Sequence, residues 1–289
     1  MSYKHYGKIG DIWKHLPLCT FLANEKPHVY IETNSAYPKY KLSHSPERDY
    51  GIYNFLDNVN KSETLLNSEY YHVLKRINGN EINTYPGSPG LALNILKEKT
   101  ERYIFCDIEK DALININEYA AELNLNDKIE IHENDSLKTI YPLLDKFNSH
   151  DFIHIDPYLI FEENDEGKTY FDLFIESIKN NIKSMLWYGY ENNYQKKYLY
   201  NYMIEKIKAS NTATIDTRIT SIELYLSSIQ ENEVVVNPGV VGCGVMAGNL
   251  SQKSMEQFDL LSDELVKIYK KTMIYGKHSG ELVKEKFSL

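Results

Sequence analysis

No apolar run in the sequence approaches the roughly 20 residues that a helix needs to cross a bilayer, so nothing in it reads as a membrane span. The opening Met1 to Tyr6 leads into no signal-peptide core, and the expected location is the cytoplasm. Cysteine is scarce: Cys19, Cys106 and Cys243 are odd in number, far apart and never paired as Cys-x-x-Cys. That pattern argues against a disulfide framework and a thiolate zinc site, and the three read as buried thiols. Positive charge is in deficit, with 32 Lys and Arg against 41 Asp and Glu and a net charge of −9. Such a balance disfavours nucleic-acid binding through phosphate neutralisation alone. Glycine is absent where it would be diagnostic: Asn34-Ser35-Ala36-Tyr37-Pro38, after the first strand candidate, contains none, so a dinucleotide fingerprint is excluded. Gly242 and Gly244 have no third glycine at phosphate-loop spacing and read as close packing.

What is present centres on Asp151 to Phe161. Phe152, Ile153 and Ile155 form a short apolar run that reads as a buried parallel strand, and Asp156-Pro157-Tyr158 stops it. In a twisted α/β sheet, ligands collect outside the carboxyl ends of the strands. A carboxylate there can accept hydrogens from an exocyclic amine, a proline fixes the adjacent carbonyl, and a tyrosine can stack on a planar base. Asp156 as a metal ligand is a second reading, and a plain Asp-Pro turn is the bland one.

The remaining segments alternate. Helices are expected at 9–25, 91–97, 109–123, 137–147, 168–182, 192–208 and 254–274, and strands at 29–33, 102–106, 128–132, 152–155, 184–188, 212–227 and 240–249. The 240–249 strand reads as the last and as antiparallel to its predecessor. Residues 43–84 are polar and tyrosine-rich, with one helix through Glu69 to Arg76, and read as an inserted helical segment of a single domain spanning 1–289. Tyr85-Pro86-Gly87-Ser88-Pro89-Gly90 is a dense turn signal before a helix, whose free N–H groups could receive a carboxylate or hydroxyl. Alternation of this kind implies an α/β fold with right-handed crossovers and helices on both faces of a mostly parallel sheet. Glu32, Asp107, Asp135 and Asp156 each follow a strand, which suits a ligand rich in hydroxyl and amine donors. The arm 1–43 is locally basic, whereas Glu162-Glu163-Asn164-Asp165-Glu166 would put carboxylates near the same cleft.

Several strings together resemble one family, the 23S ribosomal RNA adenine-N6 methyltransferases of the J type, which are class I S-adenosylmethionine enzymes. They are Ser2-Tyr3-Lys4-His5, Asp11-Ile12-Trp13-Lys14-His15, Tyr30-Ile31-Glu32-Thr33, Tyr85-Pro86-Gly87-Ser88-Pro89, Phe105-Cys106-Asp107, Asn134-Asp135, Ile155-Asp156-Pro157-Tyr158, Leu186-Trp187-Tyr188 and Gly242-Cys243-Gly244. The resemblance implies a Rossmann-like methyltransferase sheet with an antiparallel last strand and a helical insertion after the first strand. It also implies S-adenosylmethionine as cofactor, with Asp107 on its ribose, Asp135 on its adenine amine, Lys14, His15 and Ser88 at its methionine end, and Glu32 and Asn34 in the first loop beside it. Asp156, Pro157 and Tyr158 would hold the amine to be methylated, with Tyr3 and His5 close by. Two strings differ from the family. Its first loop is Asp-Thr-His-Ala-Gly-x-Gly-like against Glu32 to Pro38 here, and its amine signature is Asp-Pro-Pro-Tyr against Asp156-Pro157-Tyr158-Leu159. Either Tyr158 or Leu159 then takes the stacking position.

The expected function is N-methylation of adenine in RNA by a monomer or weak homodimer, with no metal. Methylation of a small molecule or a protein amine, and a non-catalytic binding protein with this fold, are the alternatives.

Overall fold

The computed structural model describes residues 6–210, 219–226, 242–269, 273–274, 278–279 and 281–288. The chain begins with α1 (Ile9–Glu25) and β1 (Val29–Glu32). The antiparallel pair β2 (Lys39–Lys41) and β3 (Thr84–Pro86) then brackets α2 (Pro46–Arg48), α3 (Asn54–Asn58), α4 (Glu63–Leu66) and α5 (Glu69–Asn78). Next come α6 (Ser88–Leu96), β4 (Arg102–Asp107), α7 (Lys110–Glu122), β5 (Ile129–Glu133), α8 (Ser136–Ile140), β6 (Phe152–Ile155), α9 (Tyr170–Lys179), β7 (Lys183–Tyr190) and α10 (Asn193–Ala209). The rest adds β8 (Ile219–Leu226), β9 (Gly242–Gly248), α11 (Gln252–Tyr269), β10 (Met273–Ile274), β11 (His278–Ser279) and β12 (Leu282–Ser288).

Eight strands form one sheet in the order β12-β8-β9-β7-β6-β1-β4-β5. β5, β4, β1, β6 and β7 are mutually parallel, while β9, β8 and β12 pair antiparallel. The chain reverses its direction across the sheet at β1, flanked by β4 and β6, so the carboxyl ends of β1 and β6 border the crevice where such sheets take ligands. β6 is buried at all four positions, which explains its mostly apolar composition. Its one polar member, His154, is fully enclosed, with Nδ1 3.4 Å from Glu32 Oε1 on β1. α9 starts with a capping box, in which Thr169 Oγ1 accepts the Asp172 N–H and Asp172 accepts the Thr169 N–H.

The expected strand at 212–227 is β8 over 219–226, and residues 212–218 and 227 lie outside the described ones. α11 is described over Gln252–Tyr269, and Ile274, expected at the end of that helix, belongs to β10. β9 is antiparallel as expected, and its glycines serve close packing: a Cβ on Gly244 would lie 2.1 Å from the Tyr188 ring and one on Gly242 2.5 Å from the Tyr190 ring. It is not the last strand. β12 follows it, with Lys284 and Lys286 held by Asp259 at 2.7 and 3.1 Å and Lys284 by Asp263 at 2.8 Å, both acids on α11. So charged a segment becomes a strand because β8 offers it an edge.

Candidate active site

A cleft of about 790 Å³ opens at the carboxyl ends of β1, β4, β5, β6 and β7, closed by the start of α1 and the N-terminus of α6. Tyr37 and Pro38 are not among its lining residues, so the first loop leaves it open. Lys14, His15, Asn34, Ser88, Asp107, Asp135, Asp156, Pro157 and Tyr158 all face this one space. Sequence distance hides that convergence, because four different strand ends and two helix starts supply it.

At the centre, Lys14 Nζ is 2.6 Å from Asp156 Oδ2 and 3.5 Å from Asp11 Oδ1, and all three side chains are mostly buried. Burial alone would lower the Lys14 pKa, but Asp156 and Asp11 outweigh it and raise the ammonium well above its ordinary value. Asp11 is pushed upward by burial, and Lys14 pulls it back. The same ammonium lies 5.5 Å from the centre of the Trp187 ring, which also lines the cleft. The resemblance put Lys14 at the methionine end of the cofactor; the geometry pairs it with the strand-end carboxylate of β6.

His15 is enclosed, with Nδ1 2.9 Å from the Tyr85 hydroxyl. The Tyr85 hydroxyl also lies 3.4 Å from that of Tyr70, so the three side chains form one buried chain of polar contacts. His15 Nε2 is buried with no hydrogen-bond partner, in a residue that lines the cleft. Burial, with Lys14 and His154 adding to it, holds this imidazole well below its ordinary pKa and therefore neutral. Glu32 does not reach the cleft. It is fully enclosed under the floor, accepting the Tyr30 hydroxyl at 2.9 Å, because it belongs to β1 itself rather than to the loop beyond.

The other half of the cleft resolves the absence of glycine in the first loop. Ala36 takes the left-handed conformation at φ 54°, and its N–H donates to Asp107 Oδ2 at 2.7 Å. Asp107 Oδ1 accepts the Glu109 N–H at 2.8 Å, so this carboxylate shapes two loops as well as facing the cleft. The glycines stand on the opposite wall: a Cβ on Gly87 would lie 2.1 Å from the Tyr37 carbonyl oxygen, and one on Gly90 2.0 Å from that of Pro38. The close backbone approach is therefore made by the start of α6. Asp135 caps α8 by accepting the Leu137 N–H at 2.9 Å. Tyr170 ties two loops together, its hydroxyl 3.2 Å from Asn34 Nδ2 and 3.0 Å from Ser136 Oγ.

Sequence reasoning missed Ile108, which is 76% exposed although apolar and lines the cleft beside Asp107. An apolar residue directly after a strand-end acid was the available signal. Trp187 and Tyr170 were missed as site residues for a plainer reason, since only the fold brings them there. Tyr158 and Leu159 both line the cleft, and Tyr158 is 76% exposed. Tyr3 and His5 lie outside the described residues. The acidic loop divides: Glu162 and Glu163 line the cleft, while Asp165 turns to Lys138 at 2.7 Å and Glu166 to Lys168 at 3.6 Å. Among the described residues no three metal-ligating side chains converge, and Asp156 has Lys14 as its partner.

A parallel five-strand half ordered β5-β4-β1-β6-β7, extended by antiparallel β9 and β8 and carrying its cleft at the strand carboxyl ends, defines a class I methyltransferase. The sequence profile of the family described as "Ribosomal RNA large subunit methyltransferase D, RlmJ" matches residues 25–268, and the chain belongs to that family. It is an S-adenosylmethionine-dependent methyltransferase. A crystal structure of a Legionella pneumophila protein is similar over 98% of both chains at 23% identity, with a TM-score of 0.71. An O-methyltransferase from Bacillus cereus in complex with S-adenosylhomocysteine matches at 12% identity and a TM-score of 0.43, over 81% of this chain and 80% of that one. No curated protein matches the sequence. Among the described residues no helix is long and apolar enough to cross a membrane.

Proposed function

We propose that this enzyme methylates the N6 amine of adenine in ribosomal RNA, and the observation that carries the reading is the buried Lys14–Asp156 pair at the centre of the cleft. The cofactor fits the residues present. His15 Nε2 is a buried polar atom that lacks a partner and suits the polar methionine end, Ile108 is an apolar plate for a nucleobase, and Asp107 and Asp135 are acceptors for ribose hydroxyls and an adenine amine. Ser88 and Asn34 border the same half. When bound, S-adenosylmethionine supplies an electrophilic sulfonium methyl.

The chain's own task is alignment. An adenine amine is a weak nucleophile because its lone pair is delocalised into the ring. Asp156 accepts one amine hydrogen and the carbonyl fixed by Pro157 accepts the other, which localises the lone pair toward the methyl. Lys14 holds Asp156 in place through their 2.6 Å contact, so it is a positioning residue. Tyr158 or Leu159 covers the base. The amine proton leaves after transfer, so no strong base is required.

The test is tritiated methyl transfer to unmodified large-subunit ribosomal RNA followed by digestion to nucleosides. Label in N6-methyladenosine is expected. Asp156→Ala is expected to keep S-adenosylhomocysteine affinity while transfer falls about 100-fold or more, the scale for losing one aligned polar contact to the reacting group. Unchanged turnover would refute the role of Asp156. A second reading, methylation of a small-molecule or protein amine, draws on Glu162 and Glu163 at the cleft, which suit a cationic substrate; label on small amines alone would establish it. On the first reading the enzyme works in the cytoplasm as a monomer or weak homodimer.

A further inference from the structure

Large exposed aromatic side chains gather beside the cleft. Tyr194 on α10 is 82% exposed, Tyr198 one turn on is 48% exposed, and Tyr158 in the β6 loop is 76% exposed. Tyr194, Tyr198 and Tyr202 follow at four-residue spacing and share one face of the helix. That face joins the catalytic loop, because Phe161 packs edge-on against Tyr198 at 5.4 Å and Tyr202 at 6.2 Å. It also joins the cleft, since Gln195 lines it.

Charge follows the same strip. α10 carries Lys196, Lys197, Lys206 and Lys208 against Glu205, four lysines to one glutamate and a net +3 on a chain of −9. Lys196 is held by Glu223 and Glu285 and Lys206 by Asp172, whereas Lys197 is exposed and has no ion pair with a described residue. The loop with Glu162 and Glu163 repels phosphates, so a polyanion entering the cleft is steered toward α10.

We infer that α10 is the docking strip for the single-stranded RNA segment that carries the target base, with Tyr194 and Tyr198 as stacking platforms and Lys197 beside its phosphates. This rests on the RNA reading above and extends it. Stacking on rings tolerates any base and needs few phosphate contacts, which suits a protein with a net charge of −9. The target base enters beside Tyr158 while its neighbours lie along the helix.

The experiment compares the full chain with Tyr194→Ala/Tyr198→Ala and Tyr194→Phe/Tyr198→Phe, measuring methyl transfer to unmodified ribosomal RNA and S-adenosylhomocysteine binding by calorimetry. For the alanine pair KM for RNA should rise about tenfold per ring removed, with kcat and S-adenosylhomocysteine affinity unchanged. The phenylalanine pair should restore KM, because stacking uses the ring and not the hydroxyl. An unchanged KM in the alanine pair, or a phenylalanine pair as impaired as the alanine pair, would overturn the strip while leaving the RNA reading intact. A wild-type homodimer that the alanine pair dissociates, with KM unmoved, would assign this face to a second copy instead. Wild-type chain that labels no RNA would remove the RNA reading and the strip with it.

Discussion

Lys14, with Asp156 on one side and Asp11 on the other, and His15 at the adjacent helical position differ in charge, one cationic and one neutral, though both are mostly buried. Lys14 keeps its proton because two carboxylates outweigh the burial penalty, while His15 loses its own chiefly to burial, with the Lys14 ammonium adding to it. Stability should follow. The folded imidazole titrates well below 6.5, whereas the unfolded one titrates near 6.5. Below that pH the unfolded chain takes up a proton that the folded chain refuses, so stability falls as pH drops and is unaffected above. The expected contribution is at most about 1.4 kcal/mol per pH unit. Thermal melts from pH 7 downward should show a shallower acid slope for His15→Gln than for the wild-type chain; parallel slopes would remove His15 from the acid sensitivity.

At the scale of elements, the cleft depends on two segments that touch through backbone atoms. The Gly87 N–H donates to the Pro38 carbonyl at 3.1 Å, and Gly90 passes the same carbonyl where a side chain would collide with it. Gly90→Ala should therefore push α6 and the loop after β1 apart, lowering stability by about 1–3 kcal/mol in urea unfolding and weakening S-adenosylhomocysteine binding with it. A stable variant with unchanged affinity would show that the loop adapts. The expected and observed elements agree best where apolar patterning is strong, as in α1, β4 and β6. They part at β12, whose charges carry no strand signal, and at α8, where Pro142 comes within one turn of the helix end and the expected helix continues as a 3₁₀ segment.

For the whole molecule, a ligand that binds only the folded state adds stability by mass action. S-adenosylhomocysteine at a hundredfold excess over its dissociation constant should add about 2.7 kcal/mol and raise the melting temperature accordingly. Asp107→Ala should abolish the shift, because that side chain holds the first loop and borders the cleft at once. A retained shift would place the cofactor elsewhere. The −9 net charge sets a second molecular property: what RNA contact exists must be local, which is why a stacking strip beside the cleft is favoured over a broad basic face.

The sequence by itself determined the alternation of strands and helices, the acids at strand ends and the Asp156-Pro157-Tyr158 stop, because periodicity and turn chemistry are local properties of the chain. It could not reveal that Glu32 is sealed beneath the floor, that Lys14 pairs with Asp156, or that the glycines serving the first loop lie on α6. Those facts are distances between segments far apart in the chain. Only the sheet order, which sets β1 between β4 and β6 with α1 and α6 across their ends, decides them.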